Sequence, residues 1–161
     1  MANKILAGVD EVGRGCLAGP VISCALILKK NINKKFLRDS KTIAFKERIE
    51  IAKHIKKNSW YAIGLASVDE IDKYNIFNAT LLSMERAVKK LKKKPHLFLI
   101  DGTHAPKKLK NSKTIIRGDQ KIKCISAASI VAKAYRDLYM IKLGNKFPQY
   151  KWNKNFGYGT W

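Results

Sequence analysis

Two adjacent carboxylates, Asp10 and Glu11, stand at the end of the apolar run 5–9 and directly before the glycine-rich segment 13–15. An unpaired carboxylate that enters a protein core loses its hydration, and this cost amounts to several kcal/mol or more. A bound cation compensates for that cost, and hard divalent cations prefer carboxylate oxygens. The pair therefore predicts a metal site.

Two further acidic residues follow strand-like segments. Asp101 closes the apolar run 97–100, and Asp119 comes directly after the segment 114–118. Open α/β sheets bind their ligands at the carboxyl ends of their strands. The sequence therefore predicts one acidic site that is assembled from distant parts of the chain.

The charge of the chain favours a polyanionic partner. Its 161 residues include 33 lysines and arginines against 12 acidic residues, which gives a formal net charge of +21. Basic residues bind nucleic acids through their phosphates and steer their approach. Most of these basic residues are lysines, however, and an A/T-rich coding bias would also produce them, so both explanations remain open.

Length and composition predict one domain over residues 1–161. The features below predict that it is located in the cytoplasm. The first apolar run holds only about five residues, which is too short for a signal-peptide core. No apolar stretch of about 18 residues predicts a membrane helix. Three cysteines, Cys16, Cys24 and Cys124, lack the spacing of metal ligands and are expected to be reduced thiols.

Hydrophobic periodicity predicts an alternation of strands and helices. We expect strands at 4–9, 20–28, 60–67, 97–100 and 113–117, and helices at 43–57, 79–91 and 126–143. The segment 68–74 is predicted to be a short connector, and Gly144 is predicted to end the last helix. On that helix, Asp137 is expected to be a salt-bridge partner, and Lys133 to extend its amino group into solvent.

Short motifs occur in a distinctive order along almost the whole chain, from residue 5 to residue 160. They are AGVDEVGRG (7–15), LAGP (17–20), DSK (39–41), ASV (66–68), EID (70–72), NI (75–76), DG (101–102), GD (118–119), SAASIVAK (126–133), RD (136–137) and GYGT (157–160). In this order and at these separations the sequence resembles ribonuclease HII.

The resemblance implies an α/β RNase H-like fold, a single domain with a mixed five-stranded sheet flanked by helices. It implies an endonuclease that hydrolyses the RNA strand of RNA·DNA hybrids and ribonucleotides embedded in duplex DNA. We expect the protein to act as a monomer, although the sequence does not determine the oligomeric state. The family generally continues through another helix and a basic tail, so the resemblance also implies a chain that is shortened at its C-terminus.

The resemblance assigns the metal ligands to Asp10, Glu11, Asp101 and Asp119, with Asp10 as the bridge between two Mg²⁺ or Mn²⁺ ions. Two such ions roughly 3.5–4 Å apart can activate water and stabilise both oxygens of a phosphodiester displacement. Successive side chains of a regular strand point to opposite faces. Either the strand ends at Asp10, as Gly13 suggests, or Glu11 contributes its backbone carbonyl.

Other residues are predicted to contact the nucleic acid. Glycines let the backbone approach a nucleotide closely, and the 2′-OH distinguishes RNA from DNA. The predicted ribose-reading residues are Gly13, Arg14, Gly15 and Tyr158, and the predicted phosphate contacts are Ser40 and Lys41.

Two alternatives remain open at this stage. A nucleic-acid-binding protein that has lost efficient catalysis would retain the same acidic residues. Another RNase H-like nuclease, such as a junction resolvase, would use the same acidic chemistry on a different substrate, but it would have no use for a ribose-reading loop. The sequence also leaves open whether hybrids or single ribonucleotides are the main substrate.

Overall fold

The computed structural model describes residues 3–29, 32–37 and 42–159. A five-stranded sheet has the strand order β3-β2-β1-β4-β5. β1 pairs antiparallel with β2, and β2 with β3, whereas β4 runs parallel to both β1 and β5. The predicted mixed sheet is confirmed. The strands are β1 (Leu6–Val12), β2 (Val21–Leu28), β3 (Ser59–Ala66), β4 (Leu97–Asp101) and β5 (Ser112–Ile115).

Helices cover both faces of the sheet. They are α1 (Phe45–Lys57), α2 (Val68–Lys90), α3 (Gly118–Lys121), α4 (Lys123–Lys146) and α5 (Trp152–Asn155), with short 3-10 turns at Lys34–Phe36 and Pro148–Tyr150. On one face, α1 and α4 bury apolar side chains against β2, including Leu26, Ile55 and Ile130. On the other face, α2 packs Met84 and Ala87 against the sheet.

The contact between β1 and α4 depends on Gly8. A Cβ atom at this position would collide with the backbone of Cys124 and Ile125. Glycine therefore lets the first turn of α4 lie directly on β1, two residues before Asp10. This close approach brings α4 to the acidic residues.

The predicted connector at 68–74 is wrong, because α2 begins at Val68. Ser67 caps this helix: its hydroxyl accepts the Glu70 N–H, and the Glu70 carboxylate accepts the Ser67 N–H. The first turns carry mostly polar side chains and no continuous apolar stripe, so periodicity did not reveal them. Asn75, at φ 73° and ψ 167°, then interrupts the helical backbone.

Several predicted boundaries also differ from the structure. Gly144 does not end α4, which continues to Lys146. A Cβ atom at Gly144 would collide with the backbone of Asn153, so this glycine allows α5 to pack against α4. β5 ends at Ile115 rather than at residue 117, because Arg117 adopts a left-handed backbone with φ 55°.

Among the residues that the structure describes, no helix has both the length and the apolar character that crossing a bilayer requires.

Candidate active site

Three aspartates meet at one end of the sheet. One carboxylate oxygen from each of Asp10, Asp101 and Asp119 lies within 4.8 Å of the others. Asp10 lies on β1, Asp101 is the last residue of the neighbouring parallel strand β4, and Asp119 lies in the first turn of α3. Three carboxylate oxygens at this separation can coordinate a common divalent cation.

Asp101 also holds the segment that carries Asp119. Its Oδ1 accepts the Gly118 N–H at 2.7 Å and the Asp119 N–H at 3.4 Å. A Cβ atom at Gly118 would press on the Ile125 side chain and lie 3.4 Å from Asp101 Oδ1. Glycine at 118 therefore lets α3 approach β4 closely enough to bring Asp119 to the site.

Glu11 does not join the group of three aspartates. The expectation that β1 ends at Asp10 is wrong, because the strand continues to Val12 and pairs Asp10 with Cys24 and Glu11 with Ser23. The side chains of a regular strand alternate between its faces. Glu11 lines the cleft of the three aspartates and also a small neighbouring cavity, which it shares with Asp101 and with Phe77 of α2.

Glu11 interacts with the aspartates although it is not one of the three. Its N–H donates to Asp10 Oδ1 at 2.8 Å, and its carboxylate lies 4.0 Å from the Arg14 guanidinium. Burial raises the pKa of Glu11, while the hydrogen bond with Asp10 and the charge of Arg14 act in the opposite direction.

Burial and the charges of neighbouring acids both act on the Asp10 carboxylate. Its side chain is almost fully buried, with 4% of the residue exposed. Burial raises the pKa of Asp10 well above its usual value, and the negative charges of Glu11 and Asp101 raise it further. A hard divalent cation would offset the lost hydration of Asp10 and the repulsion between the carboxylates. The donor set, which consists of carboxylate oxygens, fits Mg²⁺ or Mn²⁺.

The acids open into a cleft of about 280 Å³ that also contains most of the residues predicted to contact substrate. The lining residues are Asp10, Glu11, Val12, Gly13, Arg14, Gly15, Asp101, Asp119, Ser129, Lys133 and Tyr158. The structure thus brings the glycine-rich loop and Tyr158 to the acidic residues. Ser40 and Lys41 lie outside the described residues.

Two lining residues, Ser129 and Lys133, were not among the predicted site residues. They lie four positions apart on α4, which places them on the same side of the helix. Both belong to the motif at 126–133. This motif and the helical spacing of the two residues could have identified them as site residues from the sequence. The expectation that Lys133 extends into solvent is wrong, because its side chain is only 12% exposed.

Arg136 of α4 connects the segment after the glycine-rich loop to the segment before Tyr158. It is fully buried and donates to the carbonyl oxygens of Ala18 at 2.7 Å, Pro20 at 3.0 Å and Phe156 at 2.6 Å. These carbonyls follow the glycine-rich loop and precede Tyr158. A single side chain therefore fixes both segments relative to each other.

A mixed sheet of this order, with aspartates at the adjacent ends of its parallel strands β1 and β4, defines the protein as an RNase H-like nuclease. Comparison with known proteins narrows this class. The family model for Ribonuclease HII matches residues 7–161. The ribonuclease HII of Pelagibacter ubique is 58% identical over 159 residues, which cover 98% of this chain and 85% of that relative.

A second relative and a solved structure point to the same family. The ribonuclease HII of Macrococcus caseolyticus is 47% identical over 98% of this chain, which spans 60% of that relative's length. The crystal structure of ribonuclease H2 from Pyrococcus horikoshii superimposes with a TM-score of 0.80 at 27% identity, covering 97% of this chain and 81% of the other. This chain belongs to the ribonuclease HII family. The predicted fold and the predicted activity class, a metal-dependent endonuclease of the ribonuclease H type, are thereby confirmed.

Proposed function

We propose that this chain hydrolyses the RNA strand of RNA·DNA hybrids and single ribonucleotides embedded in duplex DNA. The observation that carries the proposal is one cleft in which three aspartates, within 4.8 Å of one another, face a glycine-rich loop and Tyr158. The acids supply a site for phosphodiester hydrolysis, and the loop and tyrosine supply a site for ribose recognition.

Asp10, Asp101 and Asp119 are the proposed ligands of Mg²⁺ or Mn²⁺, and Glu11 completes the acidic set in the same cleft. When bound, such ions acidify a water molecule and stabilise the charge on the attacking and leaving oxygens. The protein's own contribution is to hold the carboxylates in place. Asp101 does so through its hydrogen bonds to Gly118 and Asp119.

Gly13, Arg14, Gly15 and Tyr158 are the proposed ribose-reading residues. A Cβ atom at Gly15 would meet nothing within 4 Å, so the space beside this residue is open to a nucleotide. Gly13 has φ 104°, a conformation that favours glycine and turns the loop toward the cleft. A backbone amide, a carbonyl or the Tyr158 hydroxyl can each hydrogen-bond a 2′-OH, which both donates and accepts.

Ser40 and Lys41 are proposed to contact phosphates at the edge of the duplex, as their motif implies. We also propose that the protein acts as a monomer in the cytoplasm. The three cysteines are free thiols in the structure, with Cys24 and Cys124 buried, which fits a reducing compartment.

A cleavage assay tests the proposal directly. A labelled DNA duplex with one ribonucleotide should be cut at that position with Mg²⁺ or Mn²⁺, and left intact with EDTA. The same duplex without the ribonucleotide is the matched substrate control and should remain whole. Tight binding without cleavage would favour a protein that only binds nucleic acid, and efficient cutting of a four-way DNA junction would favour a resolvase.

A further inference from the structure

Lys133 lies between the acidic cleft and Tyr158. Its Nζ is 3.3 Å from the Tyr158 hydroxyl and 4.8 Å from the centre of the tyrosine ring. We infer that Lys133 is a positioning residue that orients the Tyr158 hydroxyl for ribose recognition. The inference deepens the proposed function and rests on it, since it assumes that Tyr158 contacts the ribose.

A buried network holds Lys133 in place. Its Nζ donates to Asp137 Oδ1 at 2.9 Å, and the Arg48 guanidinium donates to Asp137 Oδ2 at 2.7 Å. Arg48 in turn donates to the Ile43 carbonyl at 2.7 Å. Asp137 is completely buried, so water does not compete for its oxygens. A continuous path of hydrogen bonds therefore runs from the start of α1, through α4, to Tyr158.

The network also determines the direction of the Tyr158 hydroxyl. A lysine ammonium has three donor hydrogens and no acceptor, so in this contact the phenol oxygen must accept. The phenol hydrogen is then directed away from Lys133. It becomes available to donate into the cleft, where a ribose oxygen can accept it.

Electrostatics support the same arrangement. Arg48 and Lys133 bind the two oxygens of the same Asp137 carboxylate. Lys133 also lies 5.6 Å from the centre of the Phe156 ring, so two aromatic faces and one hydroxyl oxygen surround its ammonium group. The ammonium group thus has a defined position instead of the solvated one that a surface lysine adopts.

A double-mutant cycle tests whether Lys133 acts through the Tyr158 hydroxyl. Lys133→Met keeps the apolar stem and removes the donor, and Tyr158→Phe removes the hydroxyl. Each should lower kcat/KM on the embedded ribonucleotide by about tenfold, the loss of one hydrogen bond. The double variant should be no worse than the poorer single one. Losses that multiply would overturn the inference.

Two controls separate positioning from folding. Lys133→Arg, which retains donors, should stay several-fold more active than Lys133→Met. Lys142→Met removes an exposed lysine from the same helix and should leave kcat/KM within about twofold of wild type. Equal activity of the Arg and Met variants at position 133 would contradict a hydrogen-bonding role.

A spectroscopic readout does not depend on turnover. In protein labelled with ¹³C-tyrosine, the Tyr158 ring resonance, assigned by its loss in Tyr158→Phe, should move in Lys133→Met and remain in place in Lys142→Met. An unmoved resonance would overturn the inference while leaving the proposed function intact. A wild-type protein that does not cut the embedded ribonucleotide would overturn the proposed function, and with it the role assigned to this contact.

Discussion

At the scale of single residues, Asp10 is the proposed centre of the chemistry. Asp10→Asn should reduce cleavage of the embedded ribonucleotide to less than about a thousandth of the wild-type rate, because the amide is a poor ligand for a divalent ion. Duplex affinity in EDTA should stay equal or rise, since one charge that repels phosphate is gone. Cleavage at a substantial fraction of the wild-type rate would exclude Asp10 as a ligand.

The raised pKa of Asp10 leads to a second prediction, about the stability of the metal-free protein. A folded carboxyl with a raised pKa holds its proton more tightly than the unfolded one does. The free energy of unfolding therefore falls as the pH rises above about 4, the ordinary pKa of aspartate, through the raised folded pKa.

Asp10→Asn removes this penalty. In EDTA at pH 7, urea denaturation should show the variant to be more stable than wild type by about 1 kcal/mol or more, and the difference should vanish near pH 3. Adding Mg²⁺ should reverse the order, because the ion stabilises only the protein that binds it well. If the variant were less stable than wild type in EDTA, other groups of the protein would have to stabilise the buried Asp10 carboxylate.

The placement of a residue could be predicted from the sequence where it follows from the residue's own segment. Asp10 and Asp101 each follow an apolar run, and the structure brings them together. The sequence left the orientation of Glu11 open, because it depends on the pairing of β1 with β2 as far as Val12. The burial of Lys133 was missed for a similar reason, since its partners lie on α4 and in the segment at Tyr158.

At the scale of secondary-structure elements, the start of α2 depends on Glu70. Its carboxylate caps Ser67 and accepts two hydrogen bonds from Arg86, each of 2.6 Å. The Arg86 guanidinium, with help from the Ser67 N–H, lowers the pKa of Glu70 to about 2. A lowered folded pKa stabilises the protein above the ordinary pKa of glutamate and loses that effect as the pH falls toward 2.

Glu70→Gln should therefore be less stable than wild type by about 1 kcal/mol at pH 6, and nearly equal to it near pH 2. Glu50→Gln is the matched control, because Glu50 is exposed and forms an exposed ion pair with Lys53 at 3.4 Å. Its effect on the free energy of unfolding should stay below about 0.5 kcal/mol. If Glu70→Gln lowered the free energy of unfolding equally at pH 6 and pH 2, the negative charge of Glu70 would not be what stabilises the start of α2.

The junction between β1 and α4 gives another prediction. Gly8→Ala should lower the free energy of unfolding by about 1–3 kcal/mol, because the added methyl group collides with backbone that cannot move aside. Gly15→Ala is the matched control, since nothing lies within 4 Å of its added methyl. The control should change stability by less than about 0.5 kcal/mol. Equal stability of the two variants would mean that α4 can shift away from β1.

The elements themselves were largely predictable, because apolar runs and periodicity report how a segment is buried. All five strands were predicted, and they form the observed sheet. The first turns of α2 and the last turn of α4 were not. In both places the helix is stabilised by particular contacts, the Ser67 capping box and the packing of Gly144 against α5. Neither contact produces a hydrophobic period.

At the scale of the whole molecule, the net charge of +21 has two explanations, binding and coding bias, and the structure suggests how to separate them. Lys29 and Lys93 lie over the Trp60 ring at 4.9 and 5.3 Å. Lys29 directly follows the last residue of β2. This end of β2 pairs with the start of β3 and lies beside the start of β1. Asp10 lies toward the other end of β1, so these lysines are remote from the cleft.

The salt dependence of duplex affinity distinguishes the two explanations. Each phosphate contact adds about −0.9 to the slope of log K against log [salt]. The double variant Lys29→Gln/Lys93→Gln should retain the wild-type slope, because both lysines lie remote from the cleft. Lys41→Gln should make the slope less steep by about 0.9, the contribution of one phosphate contact. Fluorescence anisotropy from 50 to 200 mM salt, in EDTA, provides the measurement. A flatter slope for the Lys29/Lys93 variant would show that the bound duplex extends around the far end of the sheet.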